Sequence, residues 1–461
     1  MDIEKAFGFY LILCFAIISL IIIINWKRKL NNCGLSIFYV LGLSMMHTIA
    51  PIMYILPWQV FSQKEWVLYG FRESTYALAS FAIGNLVLTE IFFKNIIKRK
   101  KYIIEDKCYT WQYSRLPYIY FWMTLLLYLI TAYKPIMLPS ITALNVASNN
   151  FMIVCVCIIC WQAYCNKNIK ELNKWLLISL LFPLLTLIFS GYLGYGIGMS
   201  MLVIVFTFRF FRKFIRMIII YLIMLYLGFS IYVTYMKERG AIREVIWRGA
   251  PITDRINVVF NTFKKIEWFD PSNPLHTTMI DSRLNQNILV GAAVEYIKNG
   301  FVSYACGSTI YESLLGFIPR ILYPQKPVYA GSGDIVSRFT GIEFASGTSV
   351  GVGQVMELYI NFGRIGIIIG FMIIGILIRL FDVISAHYLL ESNIYKFILW
   401  FLPGIFLSNV GGSLIEVTSS IGGGIVLTYL IMKLKLERYR LILFFIFLFL
   451  ILYLIRLILF S

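Results

Sequence analysis

The chain has 461 residues, of which 59% are hydrophobic and 17% aromatic, well above the roughly 45–50% apolar share of soluble globular domains. Its formal net charge of +18 suits nucleic-acid binding in a soluble protein, but basic residues also collect in the cytoplasmic loops of membrane proteins. Here the Lys and Arg clusters lie at the ends of long apolar runs. The composition therefore predicts an all-α polytopic membrane protein whose partner is the lipid bilayer and not nucleic acid.

Apolar runs of about 20 residues each predict about 12 membrane-spanning helices. The first run is expected to be a retained anchor, because the segment before it is acidic and no A-x-A cleavage site follows. The Gly-rich segment from Gly191 to Gly198 joins the sixth and seventh spans so tightly that it predicts a hairpin. The predicted spans lie near residues 7–25, 35–57, 74–95, 117–133, 149–166, 175–190, 191–208, 217–235, 364–381, 395–412, 420–434 and 441–459.

The basic clusters set the predicted orientation. Each cluster follows an odd-numbered span, so all of them belong on one face, which the positive-inside rule makes cytoplasmic. The N-terminus and the long loop after the eighth span are then external. We divide the chain into residues 1–236 with spans 1–8, an external loop subdomain at 237–352, and residues 353–461 with spans 9–12.

The eight cysteines do not predict a disulfide framework, because four of them share one apolar segment, where Cys behaves as a small hydrophobe. The single Cys-x-x-Cys motif, Cys157 to Cys160, has no partner pair. No Asp-x-Asp motif and no His cluster offers metal ligands. We therefore expect neither a metal nor another cofactor.

The external loop is nearly balanced in acids and bases and is rich in Gly, Pro, Ser and Thr. Its patterning predicts two helices, Ile252 to Trp268 and Arg283 to Lys298. The second carries an apolar stripe at i, i+4 spacing, which predicts packing against the membrane interface or the spans below. The stripe consists of Leu284, Ile288, Ala292 and Tyr296.

Basic residues in the loop form two sets, one directly after the eighth span and one in the Gly/Pro-rich stretch that contains FIPRILYPQKP. Glycine loops at 331–334 and 347–353 can aim backbone N–H groups at an anion. We expect the two sets to converge. The second set and the glycine loops predict an anion site, where a diphosphate would gain about 1.5–3 kcal/mol for each charge-assisted hydrogen bond. A solvated surface balanced by nearby acids is an open alternative for the first set. The predicted diphosphate ligands are Arg239, Arg243, Arg248, Arg320, Lys326 and Arg338.

Two acidic residues near these cations are candidate catalytic groups. Glu357 lies just before the ninth span, where exposing a carboxylate to lipid costs roughly 3 kcal/mol. Asp334 lies in the glycine-rich GSGDIVSR. Structural alternatives remain open, since Glu357 can pair with Arg364 or Arg320, and Asp334 is four residues from Arg338.

Three segments of this region, FIPRILYPQKP, GSGDIVSRFTG and GTSVGVGQVMELYINFG, resemble the Wzy-type O-antigen and oligosaccharide repeat unit polymerases. The resemblance is strongest over residues 307–381, and the layout of eight spans before one large external loop agrees with it. It implies a fold like that of metal-independent GT-C-type membrane glycosyltransferases. It also implies a bacterial plasma (inner) membrane enzyme with an extracytoplasmic active site, which transfers a glycan from undecaprenyl diphosphate to a sugar hydroxyl of the next lipid-linked unit. A chain-length regulator protein is a further implied partner.

In that reaction the protein binds the diphosphate charge and positions the acceptor hydroxyl. The resemblance assigns Arg320, Arg338 and Lys326 to the first task, and Glu357 or Asp334 to the second as general base.

The chain also departs from the family, which often carries an Arg after the sixth span and another near the start of the eleventh. Here those places read SGYLGYGIG and GGSLIEVTSSIGGG, so that Arg239, Arg243 or Arg248 must supply the charge, or the diphosphate is held differently. The role of Glu416, the only charge in the second place, is open.

Two other functions remain open. The first is an O-antigen ligase, which transfers the glycan to a different acceptor. His276, the only His of the loop, leaves this function open, although a surface role is favoured for it. A non-enzymatic exporter or flippase of the lipid-linked sugar is the other, but transporters place their sites in broken helices at the bilayer midplane. His47, in the second span, is expected to be a hydrogen-bonded core residue.

Overall fold

A computed structural model describes residues 3–28, 31–56, 63–95, 114–133, 139–208, 210, 214–318, 323, 333–344 and 350–433. Over this part of the chain the regular structure is entirely helical, which confirms the predicted all-α class. The predicted span near 441–459 lies outside the described residues.

The helices follow one another in chain order. The first half contains α1 (Ile3–Lys27), α2 (Leu35–His47), α3 (Ile49–Met53), α4 (Lys64–Ala82) with a π-helical continuation (Ile83–Leu88), α5 (Thr89–Phe92), α6 (Leu116–Tyr133), α7 (Pro139–Cys165), α8 (Ile169–Ser179), α9 (Phe182–Ser190) and α10 (Leu193–Phe208). The second half contains α11 (Phe214–Trp247), α12 (Ile252–Lys264), α13 (Pro274–Leu284), α14 (Asn287–Lys298), α15 (Ser308–Gly316), α16 (Gly333–Thr340), α17 (Gln354–Leu390), α18 (Ile394–Leu407) and α19 (Leu414–Lys433).

Six helical stretches in the described part are long and apolar enough to cross a membrane, which supports a membrane protein. They are Ile3–Lys27, Lys64–Phe92, Val146–Cys165, Ile169–Ser190, Ile218–Trp247 and Gln354–Leu390. Shorter apolar helices accompany them at Leu35–His47, Leu116–Ala132, Leu193–Phe208, Ile394–Leu407 and Leu414–Tyr429. The total of about 12 spans stays a prediction.

The predicted hairpin between the sixth and seventh spans is confirmed. Helices α9 and α10 pack against each other, and Gly191 ends α9 with φ 76°, a left-handed conformation that glycine adopts without a steric penalty. The sixth span itself is divided, since α8 ends at Ser179 and α9 begins again at Phe182, next to Pro183.

Helix α17 lies at the centre of the fold and packs against α2, α4, α14 and α18. It is broken at Phe362 and Gly363, where Gly363 has φ 62° and ψ −150°. Next to this break, a segment of the loop contributes a backbone hydrogen bond: Ala305 N donates to Ile360 O at 2.8 Å. The break therefore separates a first segment near Glu357 from a long second segment.

The loop helices are part of the same bundle. Helix α14 crosses α4 so closely that a Cβ added to Gly291 would lie 1.7 Å from the backbone oxygen of Trp66, and one added to Gly70 would lie 2.0 Å from that of Asn287. Helix α15 packs on α19, where the Thr418 hydroxyl donates to Ser313 O at 2.6 Å. The predicted packing of the loop stripe against the spans is confirmed at Ala292, which is buried.

The predicted bounds of the loop helices need correction. The first loop helix ends at Lys264 and not at Trp268, and the second predicted helix does not begin at Arg283. Arg283 lies in the last turn of α13, and Asn285, with φ −106° and ψ 79°, separates that helix from α14. The Asn285 side-chain amide also donates to Asp281 Oδ1 at 2.7 Å, one turn earlier in α13.

His47 is confirmed as a hydrogen-bonded core residue. It is buried, its ring Nδ1 lies 2.9 Å from Asn287 Oδ1, and the Asn287 amide donates to His47 O at 2.8 Å. These bonds tie the end of α2 to the start of α14.

The crossing of α4 and α14 yields the first testable prediction. Gly291→Ala forces the two backbones apart, which we expect to cost about 1–3 kcal/mol of stability and to lower the unfolding temperature of the purified protein in detergent. Gly198→Ala is the matched control, because a Cβ there meets nothing within 4 Å. Equal stability of the two variants would contradict the close crossing.

Candidate functional site

Three arginines converge on one side of the bundle. Arg239 and Arg243 are four residues apart on α11 and so lie on one face of that helix, and α13, which carries Arg283 in its last turn, packs against α11. Partial desolvation, followed by repulsion from Arg239, lowers the pKa of the Arg283 guanidinium below its ordinary value. We call Arg239, Arg243 and Arg283 the arginine cluster.

No carboxylate of the described residues forms an ion pair with any member of the arginine cluster. Like charges that gather without a counter-charge repel one another, so the arrangement is unfavourable unless an anion binds there. Such a cluster is a candidate anion site.

Arg243 reaches the glycine-rich turn that follows α9. Its Nε donates to Gly191 O at 3.3 Å, and its Cζ lies 4.7 Å from the ring centre of Tyr192 and 5.1 Å from that of Trp247. The two rings hold the guanidinium by cation–π contact. The structure thus brings a guanidinium from α11 to the turn that has no arginine of its own.

Arg248, predicted with this group, is placed differently. Its side chain is 77% exposed and pairs with Glu244 at 2.6 Å, one helical turn earlier. For this residue the structure agrees with the alternative of a solvated surface pair.

Carboxylates gather on the neighbouring helices α15, α17 and α19. Glu357 is 1% exposed, and its Oε2 accepts the backbone N–H of Leu414 at 2.6 Å, at the first residue of α19. Glu416 accepts from Ser413 N at 3.3 Å while Ser413 Oγ accepts from Glu416 N at 3.4 Å, which is a capping box. Glu312 lies within electrostatic range of Glu357, as does Glu416. We call Glu312, Glu357 and Glu416 the acidic cluster.

Tyr195, in the first turn of α10, connects the two clusters. It lies within electrostatic range of both Arg243 and Glu416. One member of each cluster therefore lies near this tyrosine.

The height of the arginine cluster follows from helix geometry. The apolar run of α11 follows Arg216 in the sequence, and about 20 residues at 1.5 Å each cross the hydrocarbon of a bilayer. Arg239 and Arg243 come shortly after that length, which corresponds to the headgroup level of one leaflet.

Asp334 and Arg338 lie elsewhere. Both are exposed on α16, which packs on α14, and no ion pair joins them, so the structure does not show the alternative of an Asp334–Arg338 pair. Arg338 contacts the ring of Phe339, 5.2 Å from its centre. Within the described ranges no hydrogen bond or ion pair joins either residue to the two clusters. Arg320 and Lys326 lie outside the described residues.

Two further residues correct the sequence reading. Arg364 does not pair with Glu357; it binds buried Glu73 through two hydrogen bonds of 2.6 and 3.0 Å. His276 is buried and not at the surface. Its Nδ1 accepts from Asp270 N at 3.1 Å, and its Nε2 lies 3.0 Å from Glu267 Oε1, so both ring nitrogens are occupied inside the protein.

Sequence reasoning missed Arg283 and left Glu416 without a role. The signal for Glu416 was the spacing Ser413-x-x-Glu416, a capping-box pattern. Arg283 carried no comparable signal, since its position depends on how α13 packs. Among the described residues, no group of three or more His, Cys, Asp or Glu is arranged to hold a metal ion.

Comparisons with protein-family models, with curated proteins and with solved structures gave no match to this chain.

Glu267 yields a prediction of pH dependence. Hydrogen bonds from Lys237 and then His276 lower the pKa of the Glu267 carboxyl. A carboxyl with a lowered folded-state pKa stabilises the fold above its unfolded pKa, about 4.3 for Glu, and loses that contribution as pH falls through the folded value.

We therefore expect Glu267→Gln to unfold at a lower temperature than wild type at neutral pH, with the difference shrinking on acidification to about pH 3. Thermal unfolding of both proteins across this range measures it. A difference that is constant with pH would show that the carboxylate charge is not the cause.

Proposed function

We propose that this protein is a membrane glycosyltransferase that polymerises oligosaccharide repeat units carried on undecaprenyl diphosphate, outside the plasma membrane. The observation that carries the proposal is the arginine cluster, three guanidinium groups without a carboxylate partner in the described part of the chain, beside an acidic cluster. The proposal rests on this arrangement together with the sequence resemblance.

A diphosphate suits the arginine cluster because its oxygens accept several charge-assisted hydrogen bonds at once. The headgroup level of Arg239 and Arg243 on α11 is also where the diphosphate of a membrane-anchored lipid lies. Since diphosphate is already a good leaving group, the protein must mainly stabilise the negative charge that develops as the glycosidic bond breaks.

The acceptor hydroxyl needs a carboxylate that can take its proton. Glu416 is the better placed member of the acidic cluster, because it is half-buried, whereas Glu357 is almost fully covered and binds the start of α19. We assign Glu416 as the base. Glu357 is then the residue that holds the start of α19, the helix that carries Glu416. Asp334, exposed on α16, is then not required.

The arginine cluster is tested with Arg243→Ala and Arg283→Ala. In a strain deleted for this gene and complemented at equal membrane level, we expect either variant to shorten the surface glycan ladder. With purified protein and lipid-linked repeat units, we expect about 10- to 100-fold lower elongation, since each lost charge-assisted bond contributes about 1.5–3 kcal/mol.

Lys298→Ala is the matched control, because Lys298 is an exposed cation of the same loop at the far end of α14. It should restore the full ladder. A full ladder from both arginine variants would place the diphosphate elsewhere.

The base assignment is tested with Glu416→Gln. Glutamine also completes a capping box, so α19 should keep its N-terminal bonds while the proton acceptor is lost. We expect a wild-type unfolding temperature and elongation reduced about 100-fold or more. Normal elongation by this variant would exclude Glu416 as the base, and the same assay on Glu357→Gln then tests the buried carboxylate.

An exporter remains the second candidate, because the break in α17 at Gly363 is the kind of broken helix that transporters use. The deletion strain separates the two functions. Surface glycan of one repeat unit indicates a polymerase, and complete loss of surface glycan indicates export or ligation.

A further inference from the structure

A second group of charges lies inside the opposite end of the bundle. Arg379 and Asp382, on the second segment of α17, are 1% and 0% exposed. They lie within electrostatic range of Arg28, which follows α1, and of Glu90 on α5. This end is the one that carries the basic residues after the first and third predicted spans.

The Asp382 carboxylate accepts hydrogen bonds from the start of α2. Its Oδ1 accepts from Cys33 N at 2.5 Å and from Leu35 N at 3.2 Å, and its Oδ2 accepts from the backbone N–H and the hydroxyl of Ser36 at 3.3 and 3.1 Å. It forms no ion pair with Arg379. The carboxylate thus serves as the N-terminal cap of α2.

Both arginines have buried N–H groups without a hydrogen-bond acceptor among the described residues. Arg28 pairs with Glu90 at 3.0 Å through Nη2, but its Nη1 is buried without a hydrogen-bond partner among the described residues. The same holds for Nε and Nη1 of Arg379. Because a guanidinium group does not lose its proton in proteins, buried N–H groups of this kind require an acceptor.

We propose that Arg28 and Arg379 form a binding site for a phosphate group, supplied by the headgroup of an anionic lipid or by free phosphate. Two guanidinium groups with inward N–H donors match tetrahedral phosphate oxygens better than they match a single water. Exposed Lys27 and Lys94 near the same end add positive charge.

The surroundings favour the lipid source. Ile91 and Phe92, next to Glu90 on α5, are 62% and 69% exposed, so an apolar surface for acyl chains adjoins the charged group. Basic pockets between spans on the cytoplasmic side are known to bind lipid phosphates.

This inference does not rest on the proposed function. Asp382 binds the start of α2 through Cys33 N, whereas the loop helix α14 meets the end of α2, where His47 contacts Asn287. The phosphate site and the arginine cluster of the loop therefore use different residues at different ends of α2 and can fail separately.

The test uses the full-length protein purified in neutral detergent and stripped of lipid. Phosphatidylglycerol, phosphatidylcholine or inorganic phosphate is titrated, with unfolding temperature and native mass spectrometry as readouts. We expect phosphatidylglycerol to raise the unfolding temperature saturably and to remain bound, and phosphatidylcholine to do neither. Stabilisation by inorganic phosphate as well would identify the phosphate itself as the ligand.

Arg379→Gln and Arg28→Gln should each weaken the apparent affinity for phosphatidylglycerol about tenfold or more, because charge-assisted bonds are lost. Lys170→Gln, an exposed cation on α8, is the control and should bind as wild type does. If Arg379→Gln does not fold, Arg28→Gln and the wild-type titration still decide. Equal binding of both lipids to wild type, or unchanged affinity in Arg28→Gln, overturns the proposal in favour of buried water.

Discussion

Three buried polar side chains on the first segment of α17 hold neighbouring segments of the protein in place. Gln354, Glu357 and Asn361 follow one another at i, i+3 and i+7 and so share one face of the helix. Gln354 accepts from the Tyr39 hydroxyl at 2.7 Å and donates to Leu407 O at 3.0 Å. In a membrane protein such buried groups must be satisfied internally, because lipid offers no hydrogen bonds.

The other two side chains bind the segments that carry the acidic cluster. Glu357 accepts from the start of α19, and Asn361 accepts from Gly307 N at 2.9 Å and donates to the Thr309 hydroxyl at 2.7 Å. The starts of α15 and α19 therefore depend on one face of α17. This is why Glu357 is better described as a positioning residue than as an exposed base.

The charged side chains at the two ends of the bundle differ in how they are partnered. At one end, arginines approach one another around aromatic rings and no carboxylate of the described residues compensates them. At the other, Asp382 is fully bonded and Arg28 pairs with Glu90, but N–H groups of both Arg28 and Arg379 lack hydrogen-bond acceptors among the described residues. In the first case repulsion between like charges favours an anionic substrate, whereas in the second buried donors favour a resident ligand.

The sequence by itself determined the all-α membrane class, the hairpin at Gly191 and the hydrogen-bonded core position of His47, because apolar runs and glycine turns act over short distances along the chain. It could not determine that Arg283 meets Arg239, or that Arg364 binds Glu73. Those pairs depend on how helices cross, and a crossing is decided by close packing such as that at Gly70 and Gly291. Only the tertiary structure could therefore select which charges share a site.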